Sequence, residues 1–495
     1  MRTFQCAFAV ASFLLALFAP AVARCTDAAK IDPRPSILFA IADDWSYPHA
    51  GAYGDKVVNT PTFDRIAAEG MLFTRAFCAA PTCSASRASI LTGQWPHRLA
   101  EGANLWGTLP ARFPVYPDLL EKAGYHVGFT RKGWGPGALG DRKRNPAGNF
   151  YQNFDEFIKT VPPGEPFCFW FGSHDPHRAY VRDSGAKSGM KIADVTVPPY
   201  LPDTPETRGD ILDYYFAVER YDRDTGNIVK KLESAGRLDN TIVVMTSDNG
   251  WPFPRAKANV YEWSAHMPLA IRWPARIKGG RKNNDLVSLI DMAPTFLQAA
   301  GVDARQMPDM NGQSLLGALI GDASIAVAPR TAVYFERERH ANVRAGDLGY
   351  PMRAIRTDKY LYVQNLRPDL WPAGDPKMWK TVGPFGDIDP GPTKSLILDR
   401  RNDPAIAEFF RLACAKRLGE EMFDLQKDPS AMHDVAGVTE YQKTQQKLAT
   451  ELHAWMKQTA DPRADKGGAY DAFDRYPYAP ADPKPTLPAS KPAGK

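Results

Sequence analysis

Four short polar clusters in this chain each follow an apolar run. Asp43 and Asp44 end SILFAIADD (36–44), Lys132 follows YHVGFT (125–130), His174 and His177 end FCFWFGSHDPH (167–177), and Asp248 and Asn249 end TIVVMTSDNG (241–250). Taken alone, a DD pair or an SDNG stretch reads as a turn or a cap. Together they offer carboxylate and amide oxygens from two segments, the donor set of a hard cation such as Ca²⁺ or Mg²⁺. Cationic groups accompany them: Arg87, Lys132 and Lys257, with Arg255 two residues before the last. A lone Lys or Arg is ordinarily a solvated surface charge, and His177 alone reads equally well as a buried, hydrogen-bonded histidine.

A fifth segment, CSASRASILTG (83–93), carries a single cysteine and an arginine four residues on. Four residues is one helical turn, so Cys83 and Arg87 share a face. Pro81 and Thr82 lead into the helix and Gly93 suits its C-terminal end. Cys83 then sits in the first turn, where free N–H groups and the helix dipole attract anions. A thiolate is a soft ligand and a poor match for a hard cation, so an unmodified cysteine fits this setting badly.

The apolar runs, with PLAIRWP (268–274), are the length of buried strands, and their lack of alternation predicts parallel strands covered on both faces. Helical stretches 61–70, 116–125 and 213–236 separate them, which predicts an open α/β sheet with helices on both sides. In such sheets ligands bind beyond the C-terminal strand ends, which is where the polar clusters lie. After residue 350 the pattern changes. MRAIRTDKYLYVQNL (352–366) reads as two antiparallel strands and 439–458 as a helix, so 32–350 is expected to be the catalytic α/β domain and 351–475 a smaller α+β unit.

The ends read differently. Residues 1–23 have a basic start, an apolar stretch and the ending Ala-Val-Ala, a cleaved signal peptide; Arg24 argues against lipidation at Cys25. The expected product is exported, periplasmic or secreted, with no membrane span. Residues 478–495 are rich in Pro and Lys, a disordered tail. The chain has 495 residues with 61 Lys and Arg against 56 Asp and Glu, a net charge of +5. That excess is too small for a nucleic-acid binder acting through bulk charge. Cys78, Cys168 and Cys414 are scattered, without a CxxC pair, and are expected as small buried hydrophobes.

CSASRASILTG resembles the signature of the type I sulfatases, Cys-x-(Pro/Ala)-Ser-Arg with a following Leu-Thr-Gly. IADDW, GFTRKGWGPG, SHDPHR, SDNG and MFDLQKDPSAMHDVAG are similar to further motifs of that family, in its order. SDNGWPFPRAKANVY, SHDPHR and GYPMR (349–353) look most like the N-sulfoglucosamine sulfohydrolase (sulfamidase) branch. The resemblance implies an alkaline-phosphatase-like fold and a Cys83 oxidised to formylglycine (3-oxoalanine) by a formylglycine-generating or anaerobic sulfatase-maturating enzyme. It implies one Ca²⁺ held by Asp43, Asp44, Asp248, Asn249 and residue 83. Arg87, Lys132, His177 and Lys257 would act on the sulfate, and His340 and Arg353 would touch the sugar. The implied substrate is a sulfated carbohydrate, N-sulfated glucosamine first. A glycan O-sulfatase acting on 6-O-sulfated N-acetylglucosamine, a formylglycine-dependent phospho- or phosphonate-ester hydrolase, and a catalytically dead glycan-binding protein are the alternatives. Three departures stand out: Trp134 occupies the place of the family's Lys-x-His histidine, Ala85 that of the commoner proline, and Arg255 competes with Lys257 for the cationic role.

Overall fold

The computed structural model describes residues 34–377 and 383–478. The expected signal peptide, Cys25 and the expected tail, Tyr478 apart, lie outside these residues.

Nine strands among the described residues build the main sheet: β1 (Ser36–Ala42), β2 (Met71–Phe77), β3 (His126–Arg131), β4 (Asn149–Phe150), β5 (Phe167–Gly172), β6 (Thr241–Ser247), β7 (His266–Arg272), β8 (Arg281–Asn283) and β9 (Val287–Ser288). Their order is β4-β3-β5-β1-β6-β7-β2-β8, with β9 also on β2. β1 lies at the centre, parallel to β5 and β6, with Ile37 opposite Cys168 and Ile242. Its side chains alternate between two cores. Ile37, Phe39 and Ile41 enter one, packed with Leu91 of α2 (Cys83–Thr92), Leu119 of α3 (Tyr116–Lys122) and Phe296 of the helix Met292–Ala299. Leu38 and Ala40 enter the other, with Phe63 and Ile66 of α1 (Pro61–Glu69) and Ile211 of the helix Pro205–Ser234. Burial on both faces is why the run is continuously apolar.

Two expectations about elements need correction. β7 is antiparallel to both β6 and β2, although 268–274 reads as a parallel strand. A parallel neighbour needs a crossover, usually a helix. The chain between β6 and β7 holds only the short helix Glu262–Ala265 and is otherwise spent on loop, so it returns antiparallel. The long helix begins at Pro205, well before 213, where Thr204 accepts from the Thr207 N–H and Pro205 takes the first turn, both ordinary start signals. β2 escapes the sequence pattern because its register shifts between Phe73 and Ala76.

A second, antiparallel sheet joins β10 (Ala332–Arg337), β11 (Met352–Thr357), β12 (Tyr360–Asn365) and β13 (Glu420–Asp424) in that order. β11 and β12 are the hairpin expected from 352–366. The sheet starts at Ala332, upstream of the expected boundary at 350. Its inner residues Val333, Phe335, Ala354 and Leu361 belong to the same core as Ile37 and Phe39, so the two sheets share a core. On its other side the helix Gln442–Gln458 sets Leu448, Leu452 and Trp455 against Ile355 and Tyr362. No described helix is long and apolar enough to cross a membrane.

Candidate active site

α2 is buried at every position from Cys83 to Thr92. Its small Ser and Ala side chains allow that, because they let neighbouring backbone approach while the hydroxyls of Ser84, Ser86 and Thr92 find acceptors. Ser86 Oγ donates to the Asp248 carbonyl at 2.5 Å, and Ser84 Oγ donates to the Pro136 carbonyl. Gly93 closes the helix at φ 67°, returning its N–H to the Ser89 carbonyl, a left-handed cap that glycine adopts freely. Cys83 thus occupies the first turn, as its sequence context predicts. Its thiol is free and buried, with Sγ 3.3 Å from Asp43 Oδ1. Cys78, Cys168 and Cys414 are likewise free and buried.

The strand ends converge on that cysteine. Asp43 and Asp44 leave β1, Asp248 and Asn249 leave the adjacent β6, Lys132 leaves β3 and His177 follows β5. Asp44 takes a left-handed φ of 76°, a conformation Asp tolerates better than most residues. Its N–H donates to Asp248 Oδ1 at 3.2 Å. Arg87 is fully buried. Its Nε donates to Asp248 Oδ2 at 2.7 Å, and Nη1 donates to the Lys132 and Gly133 carbonyls, each at 3.0 Å. Lys132 Nζ meets Asp43 Oδ2 at 2.5 Å. Lys257 Nζ meets both carboxylate oxygens of Asp44 at 2.7 Å. His177 Nε2 lies 3.8 Å from Asp44 Oδ2.

Arg255 does not share the role of Lys257. Its guanidinium turns away to the carbonyls of Leu412 and Ala431. Of the two residues expected to touch a sugar, Arg353 is fully buried, ion-paired to Asp461 at 2.6 Å and Glu338 at 2.7 Å. A guanidinium held there cannot reach a substrate, so that expectation is corrected. His340 is also buried, 4% exposed, with Nδ1 2.6 Å from Thr82 Oγ1. It supports the residue before Cys83 and offers no surface to a sugar, a second correction. Trp134, in the histidine's place, is buried too. Its indole N–H donates to the Ser84 carbonyl at 3.2 Å, bracing the first turn of α2.

Asp389 was missed by sequence reading. Its Oδ2 stands 3.1 Å from Lys257 Nζ, and it groups with Asp44 and His177 within 4.8 Å. The sequence signal is only an Asp-Pro turn in GDIDPGP, and its approach to Lys257 is purely tertiary.

The electrostatics follow from crowding. Burial pushes the Asp43 carboxyl up, but Lys132, His177 and Arg87 outweigh it and hold the group ionised, well below the usual carboxylate range. Burial lowers Lys257, yet Asp389 and Asp44 keep it charged. Burial and Asp43 push the Cys83 thiol well above its ordinary value; a protonated thiol is a weak nucleophile. Asp43, Asp44 and Cys83 offer ligand atoms within 4.8 Å of one another. Asn249 Nδ2 is spent on Asp44 Oδ1 at 2.6 Å, whereas its buried Oδ1 has no hydrogen-bond partner. An orphaned amide oxygen beside three carboxylates is the donor set of a hard divalent cation. The residues fit a hard cation such as Ca²⁺ or Mg²⁺.

Beside this cluster opens a cleft of about 1030 Å³. Asp43, Lys132, His174 and His177 stand along its wall together with Trp106, Trp134 and Phe150. Neither His340 nor Arg353 lines it. Charge beside aromatic rings suits a sulfated sugar, whose ring has apolar C–H faces.

Comparison with known proteins agrees. The family described as Sulfatase matches residues 35–302, and the one described as N-sulphoglucosamine sulphohydrolase, C-terminal, matches 250–376. Human N-sulphoglucosamine sulphohydrolase is 27% identical across 87% of this chain and 91% of its own length. An ulvan-active sulfatase of Formosa agariphila is 26% identical across 87% and 76%. Among solved structures, a protein in complex with its substrate D-glucosamine-2-N,6-O-disulfate superposes with a TM-score of 0.62 at 21% identity, covering 88% of this chain and 99% of that one.

Proposed function

The chain belongs to the sulfatase family and is a hydrolase of sulfate esters or sulfamates; from that premise we propose that it is an exported enzyme removing N-sulfate from glucosamine in sulfated glycans, with Ca²⁺ and a formylglycine made from Cys83 by a maturating enzyme. The observation that carries the substrate reading is the match of residues 250–376 to the C-terminal region of N-sulphoglucosamine sulphohydrolase. This span begins just past Asp248 and Asn249 and includes Lys257. The reading of residue 83 rests on its place: an aldehyde there would face Asp43 and Arg87, where the parent thiol is a weak nucleophile.

A bound Ca²⁺ supplies positive charge that polarises sulfuryl oxygens, and a hydrated aldehyde supplies two hydroxyls on one carbon, one to accept the sulfuryl group and one to expel it. The chain's own residues do the rest. Asp248 and the Lys132 and Gly133 carbonyls fix the Arg87 guanidinium one turn along α2 from residue 83, close enough for its charge to act there. Lys132 reaches the site on Asp43 and Lys257 on Asp44. Preorganised cations of this kind stabilise charge as it develops on sulfuryl oxygens. His177 Nδ1 lies 2.5 Å from the Arg178 carbonyl. A carbonyl only accepts, so Nδ1 must carry a proton and Nε2 is the atom left to serve the leaving nitrogen or oxygen. Trp134 cannot shuttle protons, and His177, beside Asp44 at 3.8 Å, is the residue assigned that task.

Peptide mass spectrometry tests the modification: conversion of thiol to aldehyde lowers the mass of the 83-containing peptide by about 18 Da. Cys83→Ala is expected to abolish turnover, and Cys83→Ser to accumulate a sulfated residue; sustained multiple turnover by the serine variant overturns the route. The second reading is a 6-O-sulfatase, because the structural neighbour's substrate bears sulfate on both nitrogen and O6. Release of sulfate from glucosamine N-sulfate but not from 6-O-sulfated N-acetylglucosamine supports the first reading; the reverse pattern supports the second.

A further inference from the structure

Behind the loop that carries Lys257 lies a small cavity of about 170 Å³ that shares no lining residue with the catalytic cleft. Its wall holds Arg255, Arg411, Lys416 and Arg417, with Glu421 and Asp434. Arg255 is 4% exposed. Its guanidinium carbon sits 4.3 Å from the centre of the Tyr261 ring, and that of Arg417 sits 4.9 Å from the same ring. Two guanidiniums therefore crowd one buried aromatic.

Among the described residues neither arginine has a carboxylate oxygen within 4.0 Å. Arg255 Nε and Arg417 Nη2 are buried without an acceptor. The two acids in the wall take their hydrogen bonds from neutral donors. Glu421 accepts from Tyr261 Oη at 2.9 Å and from Asn365 Nδ2 at 2.8 Å. Asp434 Oδ1 accepts the N–H groups of Met422 and Ala436, both at 2.9 Å. Arg411 pairs outward with Glu408. Four cations face two carboxylates around this space, so Glu421 and Asp434 offset only part of the positive charge, and an anion in the adjoining space would offset the rest. The space is sufficient for a five-atom oxyanion, since liquid water takes about 30 Å³ per molecule.

We propose that this cavity is a second anion site, separate from the catalytic one, that takes a free tetrahedral oxyanion, inorganic sulfate or phosphate. Its position gives it a structural consequence. Arg417 Nη1 donates to Asn259 Oδ1 at 3.0 Å, and Asn259 Nδ2 donates to the carbonyls of Arg255 and Lys257 at 2.8 and 3.3 Å. An anion that fixes Arg255 and Arg417 steadies the loop that presents Lys257 to Asp44. The inference stands on the cavity alone and does not depend on the identity of the substrate.

The test uses the full-length protein. Thermal unfolding is followed in sodium sulfate, sodium phosphate and sodium chloride at matched ionic strength, for the wild type, Arg417→Gln and Lys416→Gln. Sulfate and phosphate are expected to raise Tm above chloride, and each substitution to shift that dependence to at least about tenfold higher anion concentration. Lys132→Ala, which weakens anion binding in the catalytic cleft, should retain the cavity's share of the rise. Should a variant fold poorly, wild-type crystals soaked in selenate are expected to show an anomalous peak between Arg255 and Arg417. A sulfate effect no larger than chloride's, a rise untouched by both substitutions, or a selenate-soaked crystal without that peak overturns the proposal.

Discussion

Arg353 shows how the surroundings of a residue decide its meaning. It meets Asp461 and Glu338, lies 3.1 Å from Glu336, and shares Glu338 with Arg463. His97 completes the group, with Nδ1 2.8 Å from Glu336 Oε2. Removing one member leaves its partners charged and buried. Arg353→Met is therefore expected to lower stability by about 3–5 kcal/mol, read in denaturant unfolding, while the protein that remains folded keeps its KM. A raised KM with unchanged stability would restore Arg353 to the substrate.

At the scale of elements, the site depends on close approach between β3 and β5. Arg131 pairs with Gly172 across the two strands, and the Lys132 N–H donates to the Gly172 carbonyl at 2.9 Å. A Cβ on residue 172 would lie 1.5 Å from the Lys132 carbonyl oxygen. No rotamer relieves a clash with backbone, so Gly172→Ala must push the strands apart. Lys132 and the carbonyl that holds Arg87 move with them. The expectation is a loss of activity of at least about a hundredfold, since misplacing catalytic groups by an ångström is enough for that. Thermal unfolding should fall as well. Full activity in this variant would mean that the β3 end does not position the site.

Two whole-molecule properties follow from buried charge. Burial alone would raise the carboxyl of Asp387, but Arg344, Arg337 and His340 bring it down to about 2. Glu262 is opposed by burial in the same way and brought down to about 2 by Arg356 and His266. A carboxylate whose folded pKa is depressed stabilises the fold fully above its unfolded value. That contribution fades as pH falls from about 4.5 through about 2. Each group is worth on the order of 2 kcal/mol, so acid unfolding should steepen in this window. Asp387→Asn should flatten that limb and lower stability at neutral pH, because Arg337 and Arg344 lose their shared partner. The second property concerns the cation. With Ca²⁺ at a hundredfold excess over its dissociation constant, stability should rise by about 2.7 kcal/mol. Chelation should lower Tm and abolish sulfate release, and Ca²⁺ should restore both. Indifference of Tm and activity to chelator would exclude a bound ion from the site.

The order of elements and the convergence of the polar clusters were legible in the chain itself. Strands buried on both faces must be continuously apolar, and in a parallel sheet their C-terminal ends lie on one side. Asp43, Asp44, Lys132, His177, Asp248 and Asn249 therefore belonged together before any coordinate was known, and Gly93 with Thr82 marked the helix bearing Cys83. Tertiary structure alone decided the direction of β7, the choice of Lys257 over Arg255, the arrival of Asp389, and the withdrawal of His340 and Arg353 from the surface. The direction of β7 depends on how the β6–β7 loop folds, and each of the others on which remote segment lies against which. Local propensity and spacing carry no term for a contact between residues a hundred or more positions apart, and at these sites such contacts set both burial and charge.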